Sequence, residues 1–160
     1  MTEVFYRLST SNKRKSLLKG LLEFRKRTRK CGIKHGFQLL DGSFVEEKEA
    51  RTDNTKGPPN DIDVLTVFWG YTNEDLRISL TGFDAFLDRR ISKSDYSLDH
   101  FPLNFGTEKY TQQHLLNLLQ VFNYWTQLFS HRRDNLRKGM LLVELNTPDE
   151  DESVFKLLCE

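Results

Sequence analysis

The run Asp61-Ile62-Asp63-Val64-Leu65-Thr66-Val67-Phe68-Trp69 constrains the fold more than any other stretch. It is rich in β-branched and aromatic residues and reads as a largely buried strand. Gly57-Pro58-Pro59-Asn60 precedes it, and consecutive prolines forbid a central strand or a helix there. Residues 46–60 are therefore read as a loop that nothing packs against. A strand buried in this way needs helices laid over its sheet.

The sequence supplies them. Leu17, Leu18, Leu21, Leu22 and Phe24 form a helical stripe over about 13–30, with Gly32 where a helix stops. Phe37 to Leu40 reads as a short strand ending in the turn Asp41-Gly42-Ser43. Thr72 to Arg90 reads as one helix, with Thr72 and Asp75 spaced as a capping box. Tyr96 to Leu103 reads as a further strand and Met140 to Leu145 as the last. Between them, residues 110–130 carry the strongest stripe: Leu115, Leu118, Leu119, Phe122, Trp125 and Phe129. That spacing marks a core face before it marks a base-stacking platform. The expectation is an α/β (α+β) sandwich, a small mixed sheet with helices packed on it. Residues 1–148 form one domain, followed by an acidic tail, 149–160, frayed except for a docked turn at Val154–Leu158.

Twelve phenylalanines, five tyrosines and two tryptophans in 160 residues exclude a disordered chain. The apolar runs are far shorter than the roughly 20 residues of a membrane helix. No signal-peptide stretch precedes Lys13, Arg14 and Lys15, and two cysteines suit a reducing cytoplasm. The net charge of +1 conceals an asymmetry: residues 1–34 hold eleven Lys/Arg against two Glu. That basic helix either meets nucleic acid or docks on the acidic remainder of the chain. Docking is favoured, because its leucines need a core.

Two features exceed what structure alone requires. Asp61 and Asp63 occupy alternate positions of an apolar strand, so both carboxylates share one face, about 6–7 Å apart. At an effective dielectric of about 20 they repel by roughly 2.5 kcal/mol. A hard divalent cation turns that repulsion into ligation; exposure beside the polar loop is the plainer alternative. The second feature is Gly42-Ser43 directly after a strand, where glycine admits a phosphate to the backbone and serine adds a donor. An ordinary turn has the same composition.

Taken together, Leu40-Asp41-Gly42-Ser43 followed by Asp61-Ile62-Asp63-Val64 resembles the signature of the nucleotidyltransferase superfamily, the polymerase-beta-like fold. More loosely, Leu39 to Val45 and Tyr124-Trp125-Thr126-Gln127-Leu128-Phe129 before Lys138-Gly139 resemble a small bacterial nucleotidyltransferase-like family. The resemblance covers most of residues 13–145. It implies that Gly42 and Ser43 contact nucleotide phosphate and that Asp61 and Asp63 bind Mg²⁺ or Mn²⁺. A third carboxylate, Asp99 by position, completes the set. Arg132 and Lys138 are candidates for a triphosphate, since arginine suits phosphate. The 17 residues from Phe44 to Asn60 exceed the family's usual spacing and read as a loop inserted at the mouth of the site.

The function so implied is transfer of a nucleoside monophosphate from an NTP to an acceptor hydroxyl on a protein, a nucleic acid or a small molecule. The setting it implies is a toxin–antitoxin or phage-defence pair. The alternative is a non-catalytic module of the same fold that binds a nucleotide, a nucleic acid through the basic helix, or a partner protein. Histidines and cysteines lack zinc-ligand spacing, and no P-loop lysine motif or G-x-S-x-G elbow is present.

Overall fold

The computed structural model describes residues 1–52, 56–107, 111–131 and 136–160. Its centre is a four-stranded mixed sheet of β1 (Gly36–Asp41), β2 (Ile62–Phe68), β3 (Leu98–Asn104) and β4 (Leu141–Glu144), in the order β3-β2-β1-β4. β1 pairs antiparallel with β2 and with β4, while β2 and β3 run parallel. A mixed α+β architecture is thus observed, with six α-helices among the described residues: α1 (Thr2–Leu8), α2 (Asn12–Lys30), α3 (Asn73–Ser79), α4 (Arg89–Tyr96), α5 (Gln112–Phe129) and α6 (Pro148–Cys159).

Strand alternation divides the sheet's residues between two layers. The main core lies where Leu40, Ile62, Val64, Phe68 and Leu98 meet Leu17, Leu18, Leu21 and Phe24 of α2. Leu17, Leu18, Leu21 and Phe24 are at most 1% exposed, as the sequence stripe predicts. Ser11 caps α2 by accepting from the Arg14 N–H. Gly20 lets α4 approach, because a Cβ there would lie 2.2 Å from the Tyr96 carbonyl oxygen. The opposite face carries Leu39, Leu65 and Val67, with Phe37, Phe101 and Leu103 beside them, under Trp125 and Phe129 of α5.

A hydrogen-bonded line of polar groups crosses the main core. Arg25, fully buried, donates from Nη1 to Gln38 Oε1 at 2.7 Å, and Gln38 Nε2 donates to Thr66 Oγ1 at 2.9 Å. His100 Nδ1 lies 3.1 Å from the Phe86 carbonyl, which can only accept, so Nδ1 carries the proton. Nε2 is then the acceptor, and the Thr66 hydroxyl donates to it over 2.8 Å. Burial without a charged partner pushes the His100 pKa down to about 3, so the ring is neutral. The other end of the line is anchored in α6: Arg25 Nε donates to Asp151 Oδ2 at 2.8 Å.

The elements differ from the sequence reading in four places. The helix expected over 72–90 is broken. α3 starts with the Thr72–Asp75 capping box but stops at Ser79, because Gly82 takes φ +77°, which a right-handed helix does not pass through. A short 3-10 turn then seats Phe86 in the core, and Asp88 caps α4 on the Arg90 N–H. Tyr96 therefore ends a helix instead of opening a strand. The acidic tail is not frayed: α6 covers it, burying Val154 and Leu158, with Asp151 between Arg25 and Arg29. The 46–60 loop is pinned near its start by the buried Arg14, which donates from Nε and Nη2 to Glu49 at 2.8 and 2.9 Å. The α5 stripe is only half a core face. Phe129 is buried, but Leu115, Leu119 and Phe122 are 50%, 57% and 38% exposed. The apolar part of the sheet meets the C-terminal half of α5, and the N-terminal half runs on past it.

The basic helix sorts its cations by type. Arg14, Arg25, Arg27 and Arg29 all donate to protein acceptors. Lys13, Lys26 and Lys30 are exposed. Planar guanidinium groups with several fixed donors suit buried recognition, while compact ammonium groups stay hydrated. The expected docking of the helix onto the body is carried by its leucines and arginines.

Candidate functional site

The pairing register decides what the aspartates do. Asp41 is opposite Asp63 on the antiparallel pair β1–β2, and Asp63 is level with Asp99 on the parallel pair β2–β3. Three carboxylates thus stand side by side on three adjacent strands. Asp61 stands two residues before Asp63 on the same face. All four have the parity of Leu39, Leu65 and Phe101, so one face of the sheet is acidic at one end and apolar at the other. Of the expected residues, Gly42, Ser43, Asp61, Asp63, Asp99 and Lys138 belong to this end of the sheet. Arg132 lies outside the described residues.

Gly42 follows β1 with φ +81° and opens a 3-10 turn, Gly42–Val45. A Cβ on it would lie 2.4 Å from Asp63 Oδ2. Glycine is needed here on both counts: the left-handed backbone, and the space for the Asp63 carboxylate. Ser43, half-buried, stands next to it at the surface of the turn.

Cations partner three of the four acids. Lys138 Nζ lies 2.7 Å from Asp41 Oδ2, and Lys93 Nζ lies 2.6 Å from Asp61 Oδ2 and 3.9 Å from Asp99 Oδ2. Arg89 donates to both oxygens of Asp99 while its guanidinium sits 4.7 Å from the centre of the Phe101 ring. Among the described residues, Asp63 has no cation of its own. Burial pushes its pKa up to about 6, reinforced by the charges of Asp61, Asp99 and Asp41 and only partly offset by Lys138. Burial also raises Asp41 against the pull of Lys138, and Asp41 Oδ1 is buried with no hydrogen-bond partner among the described residues. Hydrogen bonding to Asp61 raises the Lys93 pKa.

Among the described residues, no group of three or more His, Cys, Asp or Glu side chains is already arranged to hold a metal ion. The donor chemistry nevertheless fits a hard cation. The groups are carboxylate oxygens, and among the described residues Asp63 has no ion-pair partner and Asp41 keeps one orphan oxygen. Lys93 and Arg89, whose side chains are 54% and 58% exposed, can swing out to release Asp61 and Asp99.

The sequence reading passed over three members of this cluster. In the sequence Asp41 reads as a turn residue, and Arg89 and Lys93 carry no motif. A signal existed for the two cations: spaced four apart, they share one face of a helix that runs directly into the strand bearing Asp99. Asp41 had no such signal, since only the β1–β2 register makes it a neighbour of Asp63.

A family model matches residues 1–144 of the chain. The chain belongs to that family, a family of unknown function (DUF6932). The match takes in every residue of the acidic cluster and its cations, and α6 lies beyond it. No curated protein and no solved structure matches the chain. No helix among the described residues is long and apolar enough to cross a membrane.

Proposed function

We propose that the protein is a Mg²⁺- or Mn²⁺-dependent nucleotidyltransferase that moves a nucleoside monophosphate from an NTP to an acceptor hydroxyl. The observation that carries this reading is the row Asp41, Asp63, Asp99 on three adjacent strands, with Asp61 beside it and Asp63 left without a cation. A structural role alone gives no reason to align acids at such electrostatic cost. Asp61 and Asp63 would hold the divalent ion, which when bound neutralises triphosphate charge and polarises the phosphoryl oxygens.

The chain's own groups do the rest. Gly42 keeps the approach to Asp63 free of a side chain, and the Ser43 hydroxyl donates to a phosphate oxygen. Lys93, half-exposed and held only by carboxylates, exchanges them for phosphate oxygens when nucleotide enters. Asp99 takes the proton of the acceptor hydroxyl as its oxygen bonds to the α-phosphorus. The bond to the β-phosphate bridging oxygen breaks, and pyrophosphate leaves.

A second reading has its own observation. Lys138, Lys93 and Arg89 already neutralise three of the four acids without a metal. That arrangement suits a non-catalytic module which keeps the fold and binds a nucleotide or a partner. Incubation of the purified protein with each α-phosphate-labelled NTP, Mg²⁺ or Mn²⁺ and mixed acceptors separates the two. Pyrophosphate release with label transfer, lost in Asp63→Asn, supports the enzyme. Metal-independent nucleotide binding without release supports the module.

A further inference from the structure

A cavity of about 630 Å³ lies between α2 and α6, on the main-core side of the sheet. This volume is that of an ordinary small-molecule site. Its floor is apolar, made by the buried Leu22 and the half-buried Phe155. Its rim is cationic. Lys26 and Lys30 stand one turn apart on α2, Lys34 follows beyond its end, and none has a carboxylate within 4.0 Å among the described residues. The acids on the lining are mostly spent. Glu152 pairs with Lys156 at 3.1 Å, and Asp151 is shared by two guanidinium groups, leaving Glu23 as the one unpaired acid of the described lining.

Arg29 is the informative residue. Its side chain is only 10% exposed. Nη1 donates to Asp151 Oδ2 at 2.6 Å and to the Leu145 carbonyl at 3.2 Å. Nε and Nη2 have no protein acceptor among the described residues, and the Asp151 Oδ2 that Nη1 meets is shared with Arg25 Nε at 2.8 Å. One carboxylate therefore serves two guanidinium groups, and Arg29 keeps donors without a protein acceptor at the cavity wall. An anion entering the cavity takes these donors in charge-assisted hydrogen bonds, which are stronger than neutral ones.

We propose that this cavity is a binding site for a small organic anion: an apolar or aromatic body on Leu22 and Phe155, with a phosphate or carboxylate held by Arg29 and the lysine rim. It is independent of the acidic cluster and of the nucleotidyltransferase reading. α6 forms one wall, so an occupant also fastens the C-terminal helix to α2.

Anilinonaphthalene sulfonate, an aromatic anion that fluoresces in apolar surroundings, is the probe. The parent binds it saturably at one site, by titration calorimetry and fluorescence. Lys26→Glu with Lys30→Glu weakens binding about tenfold or more, as reversal of two charges at one rim requires. Lys26→Arg with Lys30→Arg retains it, as does the control Lys13→Glu with Lys15→Glu, which reverses two charges elsewhere on the same helix. Thermal melts verify that all variants are folded, and Asp63→Asn leaves binding unchanged. Displacement by decanoate or by ADP supports the site and tells carboxylate from phosphate as the preferred anion. Equal loss in both charge-reversal pairs, displacement by uncharged decanol as readily as by decanoate, or no saturable binding overturns the proposal.

Discussion

Replacing Asp63 by Asn makes the electrostatic account of the acidic row measurable. Asn keeps the shape of the side chain and removes its charge. The Asp63 pKa is raised to about 6 in the folded protein, against about 3.9 in an unfolded chain. Below about pH 4 both states hold the proton, and the charge contributes nothing. As pH rises from about 4 to 6, the unfolded chain releases the proton while the folded protein retains it, so the parent loses stability over that window. A shift of about two pH units corresponds to about 3 kcal/mol, reduced to about 2 kcal/mol for the part of the side chain that water reaches. Asp63→Asn is therefore equal to the parent near pH 4 and more stable by about 2 kcal/mol at pH 7.5 without metal. For a domain of this size that is a rise in Tm of about 4–8 °C. The neutral, buried His100 destabilises both proteins below about pH 6.5 in the same way, so the difference between them isolates Asp63. Paired melts from pH 4 to 8 in chelator give the answer. A difference that does not vary with pH, or a less stable variant at pH 7.5, refutes the reasoning.

Asp151→Ala strips Arg25 and Arg29 of their shared carboxylate and costs about 3–5 kcal/mol in urea unfolding, as loss of one partner of a buried ion pair does; a cost below about 1 kcal/mol would mean that α6 is not held this way. Gly42→Ala destabilises through its positive φ and its clash with Asp63, by about 2 kcal/mol or more, and the penalty shrinks in an Asp63→Ala background. A double-mutant cycle with no coupling beyond about 0.5 kcal/mol would remove the contact from the account. Replacing Arg25, Arg27 and Arg29 together by Gln lowers the melting temperature and leaves the salt dependence of any nucleic-acid binding unchanged; a shallower salt slope would restore the basic helix as a nucleic-acid face.

What the sequence made legible was local. The α2 stripe, the buried strand β2 and the Thr72–Asp75 cap each rest on periodicity or on a pair of residues a few positions apart. The two aspartates of β2 follow from alternation along one strand. What stayed hidden depends on register and on partners far along the chain. Asp41 reads as a turn residue until Leu40 is paired with Val64, which puts Asp41 beside Asp63. The acidic C-terminal segment looks soluble and loose because its partners, Arg25 and Arg29, stand more than 120 residues away. The α5 stripe misled for a related reason. Spacing identifies an amphipathic helix, but the length of apolar sheet beneath it decides how much of the stripe is covered.

Manganese binding in the presence of a non-hydrolysable NTP analogue tests the central claim most directly, because it needs no knowledge of the acceptor. Free Mn²⁺ is followed by electron paramagnetic resonance while parent and Asp63→Asn are titrated under the same conditions. The account predicts that the parent with analogue removes Mn²⁺ from solution beyond what the analogue alone removes, and that Asp63→Asn does not. Identical Mn²⁺ uptake by the two proteins would contradict it, since the carboxylate placed at the centre of the row would then hold no metal.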